Sequence, residues 1–219
     1  MKLKAMIFIL LVSVAQGVCA EVIEQGMDIL TPDERAAGWL GASASRGGET
    51  LVIAMYKDFL PFTFLNAEGQ PAGIFVDIWR LWAEKTDRKI EFRLTSWKGT
   101  MDNLRNGDAD IHSGLLRYEV RESWVDYSQA IYEMRVSTFF PVKCGKISGL
   151  NELSGQKVGT IRGSYHETYL HRHYPNINII LFNSTEDMVR AARDGKICAA
   201  VATCPSTSAH ISRLGLSGE

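Results

Sequence analysis

Short apolar runs alternate with amphipathic stretches along the chain. Residues 51–55 form an apolar, β-prone run, and residues 74–86 place apolar side chains at helical spacing. The side chains that share this helical face are Ile74, Ile78, Leu81 and Trp82. A glycine- and proline-containing stretch at 58–73 separates the two runs, so the pattern predicts a strand, a loop and a helix in that order.

The same alternation continues through the rest of the chain. The further predicted strands are 90–94, 109–112, 157–161, 177–182 and 197–202. The further predicted helices are 98–105, which ends at Asn106-Gly107-Asp108, then 164–173 and 185–194. Two successive series of this kind predict an α/β protein with two parallel sheets. Residues 137–142 lie between the series and lack a helix signal, which is typical of a hinge strand shared by two lobes.

The first twenty residues have the layout of a secretory signal peptide. Lys2 and Lys4 precede an apolar run, and small residues then lead to Ala20, after which we expect cleavage. The apolar run is short for a membrane span. An uncleaved anchor and a lipid attached at Cys19 stay open as alternatives. We therefore expect the protein in the periplasm.

The net charge bears on which partners the protein binds, and the cysteine content bears on whether it contains a disulfide. The formal net charge is -1, which gives no sign of a basic stripe for nucleic acid. Cleavage would leave Cys144, Cys198 and Cys204, enough for one disulfide in an oxidising compartment. Fully extended, Cys198 and Cys204 would lie about 20 Å apart, so that pair needs an intervening turn. Buried thiols that pack as small apolar groups are the alternative.

Two segments have the features of ligand-binding loops. Residues 113–121 follow a predicted strand and lead into a charged helix start. Residues 159–164 run from a strand through glycine into a helix whose first backbone N–H groups favour an anion. Ser164 at that helix start either caps the helix or donates a hydrogen bond to a ligand, and capping is the commoner role.

Four motifs follow one another in order from residue 50 onward. They are Met55–Asp77 with its core Lys57-Asp58-Phe59-Leu60-Pro61-Phe62-Thr63-Phe64, then Leu104–Asp110, Arg121–Ser128 and Gly149–Ser164. Together they resemble bacterial extracellular solute-binding protein family 3. The resemblance implies a two-lobed, periplasmic-binding-protein-like α/β fold of type II, a Venus flytrap that closes on a small molecule without a cofactor.

The resemblance also implies a division of the chain. Its segments are a signal peptide at 1–20, a lead-in at 21–49, lobe 1 at 50–138, a hinge strand at 139–142 and lobe 2 at 143–219. Chains of this family cross back to complete lobe 1, and this sequence looks truncated before that return. We therefore expect residues 21–219 alone to leave an apolar face of lobe 1 partly uncovered, which would promote association.

A ligand site between the lobes follows from the same resemblance. The implied ligand-binding residues are Phe59, Phe62, Ser113, Gly114, Arg121, Ser164, Tyr165 and Thr203. In that family an arginine at the position of Arg121 binds the ligand's carboxylate by two parallel hydrogen bonds, helped by the helix start at Ser164. An aromatic ring at the position of Phe59 or Phe62 covers the ligand's apolar part.

The residues themselves leave alternatives for these roles. Arg121 instead has neighbours for an ion pair in Glu122 and Asp126. Phe59 and Phe62 fit core positions equally well, because aromatic side chains are commonly buried.

Three positions depart from the pattern of amino-acid-binding members. Thr203 stands where those members place an acid that holds the ligand's ammonium group. Leu116 replaces a hydroxyl-bearing residue, and Tyr118 replaces a threonine. The departures indicate a carboxylate that lacks an α-ammonium group, or an amino acid held in another way. An acidic or neutral polar solute stays open as a further alternative.

The sequence predicts no catalytic residue and no metal site. His166 and His171 are five residues apart, which rotates them about 140° from each other on a helix, so they cannot hold one metal from one face. We expect these histidines and His173 on an exposed polar face. A nucleophile elbow, a Walker loop and a paired-cysteine zinc motif are all missing from the sequence.

Three roles fit a binding domain of this kind. The first is the input module of a membrane sensor, because Leu30–Arg35 and Leu115–Tyr118 resemble the sensor-type subgroup. The second is the free binding protein of an ABC amino-acid-type transporter, and the third is the regulatory domain of a lytic transglycosylase. The expected partners are thus a small carboxylate and either a membrane-bound kinase or cyclase or an inner-membrane permease.

Overall fold

The computed structural model describes residues 50–145 and 147–217. The predicted signal peptide with Cys19, and the lead-in at 21–49, lie outside the described residues. The strands are β1 (Leu51–Tyr56), β2 (Asp58–Phe59), β3 (Thr63–Leu65), β4 (Pro71–Ala72), β5 (Ile90–Thr95), β6 (Ile111–His112), β7 (Val136–Phe139), β8 (Lys157–Ile161), β9 (Asn178–Phe182) and β10 (Ala199–Thr203). The helices are α1 (Ile74–Thr86), α2 (Trp97–Asn106), α3 (Glu119–Glu122), α4 (Tyr165–His173), α5 (Thr185–Arg193) and α6 (Cys204–Arg213).

Two main sheets and one small sheet organise these elements. The first main sheet is parallel, in the order β5-β1-β6. The second has the order β7-β10-β8-β9, in which β7 is antiparallel to β10 and the other neighbours are parallel. A small antiparallel sheet joins β2, β3 and β4. We call the part built around the first main sheet the first lobe and the part around the second the second lobe.

Each lobe has its own apolar core. In the first lobe, Ile53 and Met55 of β1 pack with Val76 of α1, and all three are fully buried. In the second lobe, one cluster lies around Leu170 of α4 and another around Met188 of α5. Both side chains are fully buried, so helices cover the sheet with apolar side chains as alternating α/β patterns require.

The sequence periodicity located the main strands and helices, and two details differ. The predicted helix at 74–86 is confirmed, and its neighbours agree to within a few residues. The second sheet is mixed rather than parallel, because β7 enters it from the opposite direction. The extended segment at 137–142 ends early, because the Cys144 N–H donates to the Pro141 carbonyl in a 3-10 turn at Val142–Cys144. The lobe boundary at 138 and the hinge strand at 139–142 remain predictions.

The short helix α3 lies at the charged helix start that the sequence predicted for residues 113–121. Three further elements were not predicted. They are the β2-β3-β4 sheet within a stretch read as loop, a 3-10 turn at Leu150–Leu153, and α6. The strands of the small sheet have two or three residues each, too short to show a period of two. Helix α6 starts at Cys204-Pro205, and proline is well tolerated in the first turn of a helix.

Polar contacts join the two lobes directly. The Asp58 carboxylate accepts hydrogen bonds from the Thr185 N–H at 2.6 Å and the Glu186 N–H at 3.4 Å, at the start of α5. The Tyr56 hydroxyl donates to the Asn183 carbonyl at 3.2 Å. A carboxylate at a helix N-terminus is favourable because the free N–H groups there carry partial positive charge. These contacts hold the small sheet of the first lobe against α5.

Helix α1 turns most of its apolar face outward. Ile74, Ile78 and Leu81 are 48%, 41% and 52% exposed, whereas Phe75 and Val76 are buried. The predicted face of the helix is therefore not the face that packs on the first main sheet. In the described part of the chain, this face is an exposed apolar patch of the kind that promotes association.

The contrast between Val76 and Leu81 gives a stability test. Val76→Ala should lower the free energy of unfolding by about 2 kcal/mol, because it removes buried methyl groups and leaves a cavity. Leu81→Ala, the matched control, should change it by less than about 0.5 kcal/mol, as exposed substitutions usually do. Urea unfolding of both variants would measure this. A loss at Leu81 as large as at Val76 would show that the face is covered in solution.

Candidate functional site

Arg121 is a buried cation at the edge of the first lobe. It lies in α3 with only 6% of its surface exposed. Its guanidinium carbon lies 5.7 Å from the ring centre of Trp97 and 5.9 Å from that of Tyr118. The guanidinium also donates to the Leu116 carbonyl at 3.3 Å. Burial lowers the pKa of the guanidinium, since the charged form is poorly solvated there.

No carboxylate of the described residues pairs with Arg121. The ion pair that the sequence left open with Glu122 does not form, because Glu122 pairs with Arg117 at 2.6 Å instead. Asp126, the other candidate, makes no ion pair with Arg121 either within residues 50–145 and 147–217. Two aromatic faces and a carbonyl thus stabilise this cation in place of a counter-ion.

Trp97, the first residue of α2, connects the parts of the site. Its ring contacts Tyr56 edge-on with centroids 6.0 Å apart, and His112 with centroids 5.4 Å apart. Its indole N–H donates to the Gly163 carbonyl of the second lobe at 2.9 Å. Sequence reasoning missed this residue. Its position at the end of β5 was the available signal, because ligands bind outside the carboxyl ends of parallel strands.

The start of α4 faces this group from the second lobe. Ser164 caps the helix, because its hydroxyl accepts from the Glu167 N–H at 3.3 Å. The Glu167 carboxylate in turn accepts from the Gly163 N–H. The Tyr165 and His166 N–H groups belong to the first turn, where a helix provides no partner. The rings of Tyr165 and Tyr118 meet edge-on at 5.1 Å, which brings this helix start beside α3.

The two candidate phenylalanines occupy different positions in one aromatic cluster. Phe62 is 2% exposed and packs against Phe59 and Phe75, each with centroids 4.9 Å apart. Its role is thus that of a core residue. Phe59 is partly exposed, with its ring 6.4 Å from Tyr56 on the side that leads to Trp97. Of the two, Phe59 is the one on the open side of the cluster.

Ser113 and Gly114 have partners within the first lobe. The Ser113 carbonyl accepts from the indole N–H of Trp79 at 3.0 Å. The Gly114 N–H donates to Nδ1 of His112 at 3.2 Å, so this donor already has a partner. A Cβ at Gly114 would lie 2.6 Å from the ring of Phe75, so only glycine fits there without displacing that ring.

Two histidines flank Arg121, the half-buried His112 and the buried His166. Burial, and secondarily the charge of Arg121, lower the pKa of His112 to about 3 and that of His166 to about 4. Both are therefore neutral at pH 7. The exposed position expected for His166 is wrong: it shares the buried face of α4 with Leu170, while His171 and His173 are exposed. Neither ring nitrogen of His166 has a hydrogen-bond partner among the described residues.

A cavity of about 410 Å³ opens between the lobes at Arg121. Of the residues implied by the motifs, only Arg121 lines it. The charged residues of its wall are Lys98, Asp102, Arg105, Arg121, Arg162 and Glu167. Asp102 is paired with Lys98 at 2.6 Å, and the Arg105 guanidinium stacks on Trp124 at 4.5 Å. With four cations and two carboxylates, the wall is electropositive.

Thr203 is not among the residues that line that cavity. It ends β10, pairs with Val136 of β7, and precedes α6 without a side-chain cap bond. The structure therefore brings Arg121 and Tyr165 together around Trp97 and Tyr118, while Thr203 does not line the cavity. Within the described ranges, no group of three or more potential ligands could hold a metal ion. No described helix has both the length and the apolarity to cross a membrane.

Comparison with known sequences places these features in a family. The family model described as bacterial extracellular solute-binding proteins, family 3, matches residues 51–203. A probable histidine-binding protein of Neisseria gonorrhoeae is 32% identical over 124 residues, 56% of this chain and 46% of that protein. A putative ABC transporter arginine-binding protein of Escherichia coli (strain K12) is 22% identical over 155 residues, 70% of this chain and 63% of that protein. The matches thus span 46% to 63% of these relatives' lengths.

Solved structures share the two-lobed architecture. A histidine kinase sensor domain with similarity to periplasmic binding proteins matches with a TM-score of 0.73 at 27% identity, over 76% of this chain and 73% of that one. An ancestral arginine-binding protein bound to arginine gives a TM-score of 0.72 at 24% identity, over 77% and 76% of the two chains. The family match over residues 51–203, carried by this fold, shows that the chain belongs to the bacterial extracellular solute-binding proteins, family 3.

Proposed function

We propose that this domain captures a small carboxylate-bearing solute, an amino acid or a related organic acid, between its two lobes. The observation that carries the proposal is Arg121, a buried guanidinium without a carboxylate partner among the described residues. A buried charge is costly unless it is paired, so a ligand carboxylate would supply what the protein leaves out. The planar guanidinium matches a carboxylate by two parallel hydrogen bonds.

The second lobe contributes the other half of the proposed site. The start of α4 lies next to α3 through the contact of Tyr165 with Tyr118. Its first-turn N–H groups favour an anion, and a carboxylate on Arg121 would be within the same cleft. Ser164 is occupied as the helix cap, so backbone groups of Tyr165 and His166 are the proposed donors. Phe59 and Trp97 provide the aromatic cover for the ligand's apolar part.

Binding without catalysis is the proposed activity. The named relatives are described as binding proteins. One structural neighbour, an ancestral amino acid-binding protein with a TM-score of 0.68 at 25% identity, is described as a precursor of cyclohexadienyl dehydratase. The match covers 76% of this chain and 74% of that protein's chain. We propose that His112 and His166 serve the binding site, since they are neutral and lie beside a cation rather than a carboxylate base.

We propose sensing as the use of this binding, with transport as the alternative. The sensor assignment is supported by the kinase sensor domain, which at 27% identity shares the fold over 76% of this chain. The Leu115–Tyr118 segment also supports it, since that segment resembles the sensor-type subgroup of the family. The alternative is supported by the Escherichia coli relative described as an ABC transporter protein. Deletion of the gene, with growth and transcription compared on single carbon or nitrogen sources, would separate uptake from signalling.

Replacing Arg121 tests the carboxylate contact. Arg121→Ala should weaken binding by about 2–5 kcal/mol, because the ligand carboxylate then stays buried without its charged partner. The matched control, Arg172→Ala, removes an exposed arginine of α4 and should leave affinity within about threefold, since substitutions at exposed sites usually change little. Calorimetry with a panel of amino acids, dicarboxylates and keto acids would measure both. Unchanged affinity in Arg121→Ala, with an unchanged melting temperature, would remove Arg121 from the site.

Thr203 tests which carboxylates are preferred. Thr203 cannot supply the negative charge that stabilises an α-ammonium group, so the unaltered domain should prefer organic acids over ordinary amino acids. We propose that the end of β10 reaches a bound ligand although Thr203 does not line the cavity at Arg121. Thr203→Asp should then shift the preference toward amino acids, because a carboxylate there would stabilise a nearby ammonium. Thr203→Asn, similar in size but uncharged, is the control in the same titrations. Tight binding of several amino acids by the unaltered domain would contradict this preference.

The low pKa of the buried His166 predicts that the folded protein loses stability in acid. The unfolded chain protonates His166 near its ordinary pKa of 6.5, whereas the folded pKa is about 4. Above pH 6.5 the imidazole is neutral in both states and does not lower the free energy of unfolding. Below pH 6.5 the unfolded chain takes up a proton that the folded protein does not, so the free energy of unfolding falls until the pH reaches about 4. Between pH 7 and pH 5, His166 alone should lower the free energy of unfolding by about 2 kcal/mol. His166→Gln should remove that part of the pH slope in urea titrations, while His171→Gln, at an exposed site, should retain it.

A further inference from the structure

We propose that Cys144 and Cys198 form a disulfide in the exported protein. Cys144 ends the 3-10 turn after β7, and Cys198 immediately precedes β10. Both are partly buried thiols in this structure. The inference is independent of the ligand site, because it concerns the internal covalent structure of the second lobe.

The sheet register brings the two cysteines to the same place. β7 is antiparallel to β10, with Phe139 opposite Ala200. Continued by two residues along each chain, this register sets Cys198 opposite Pro141. The Cys144 N–H donates to the Pro141 carbonyl at 2.9 Å, which folds the turn back over that position. A hydrogen bond to α5 also holds the turn, since the Lys143 ammonium donates to the Arg193 carbonyl at 2.8 Å.

The thiols interact in this arrangement. Burial raises the pKa of the Cys198 thiol, and the neighbouring Cys144 thiol raises it further. Cys198 also packs against the core cluster around Leu170, which leaves its side chain little freedom to turn away. Two interacting, partly exposed thiols on the same lobe are thus positioned for a disulfide.

Cys204 is excluded as the partner of Cys198 by the strand between them. Cys198 precedes β10 and Cys204 follows it, so the five-residue strand keeps the two ends apart. An extended strand spans about 3.3 Å per residue, which separates these cysteines by roughly 20 Å, beyond disulfide reach. The Sγ of Cys204 lies 3.9 Å from the Ser208 hydroxyl within α6. No turn therefore brings Cys204 back to Cys198.

Oxidation requires an acceptor for two electrons. The two thiols would give up two protons and two electrons as the S–S bond forms, and a disulfide-bonded oxidant, such as oxidised glutathione or a thiol–disulfide oxidoreductase, would be reduced to two thiols. The family is extracellular, and oxidising compartments of this kind maintain disulfides. The bond would close the chain from Cys144 to Cys198 and so stabilise the second lobe by restricting the unfolded state.

Peptide mapping tests the assignment directly. The purified chain is equilibrated with oxidised and reduced glutathione, alkylated in denaturant, digested and analysed by mass spectrometry. We expect one linked peptide pair containing Cys144 and Cys198, lower in mass than the separate peptides by about 2 Da for two lost hydrogens, with Cys204 alkylated. The melting temperature should be higher in the oxidised form by roughly 10 °C.

Serine variants supply the matched controls. Cys204→Ser should keep the linked pair and the redox-dependent melting shift. Cys144→Ser and Cys198→Ser should each abolish both. Alkylation of both Cys144 and Cys198 at an oxidising glutathione ratio, or a linkage that includes Cys204, would overturn the proposal. The mapping uses the unaltered chain, so the outcome does not depend on the variants folding.

Discussion

The site depends on a positive charge that the protein buries without a carboxylate partner. Arg121 is nearly inaccessible to water, and two ring faces and one carbonyl stabilise it. Neutral groups recover only part of the solvation that a cation loses on burial. Burial, and secondarily the charge of Arg121, lower the pKa values of His112 and His166, so both stay neutral beside the guanidinium. An anionic ligand is the component that completes this electrostatic arrangement.

A separate negative charge joins the lobes on the other side of Tyr56. Asp58 accepts from the first N–H groups of α5 and lies 3.2 Å from Nε2 of the fully buried His210 in α6. The His210 contact lacks hydrogen-bond geometry, so the helix start is the stronger partner of the carboxylate. Polar links thus join the lobes at Asp58, at Tyr56, which donates to the Asn183 carbonyl, and at Trp97, which donates to the Gly163 carbonyl. The proposed ligand would add a fourth link at Arg121.

The sequence predicted what depends on local periodicity, and missed what depends on lateral packing. Helix 74–86 was predicted to the residue, yet its buried side chains are Phe75 and Val76 rather than the regular face of Ile78 and Leu81, because the sheet position decides which face is covered. For the site, motif resemblance pointed to Arg121, and the structure shows its burial. His166 was expected at the surface, since spacing alone does not show that its face of α4 packs inward.

A ligand held by Arg121 and by the start of α4 would contact both lobes at once. Such a ligand binds the closed arrangement better than an open one, because an opened cleft would separate the guanidinium from the helix N-terminus. The difference in affinity between the two arrangements sets how far binding shifts the protein toward closure. The proposed site would therefore couple ligand capture to closure, because its two halves, the guanidinium and the helix start, come from different lobes.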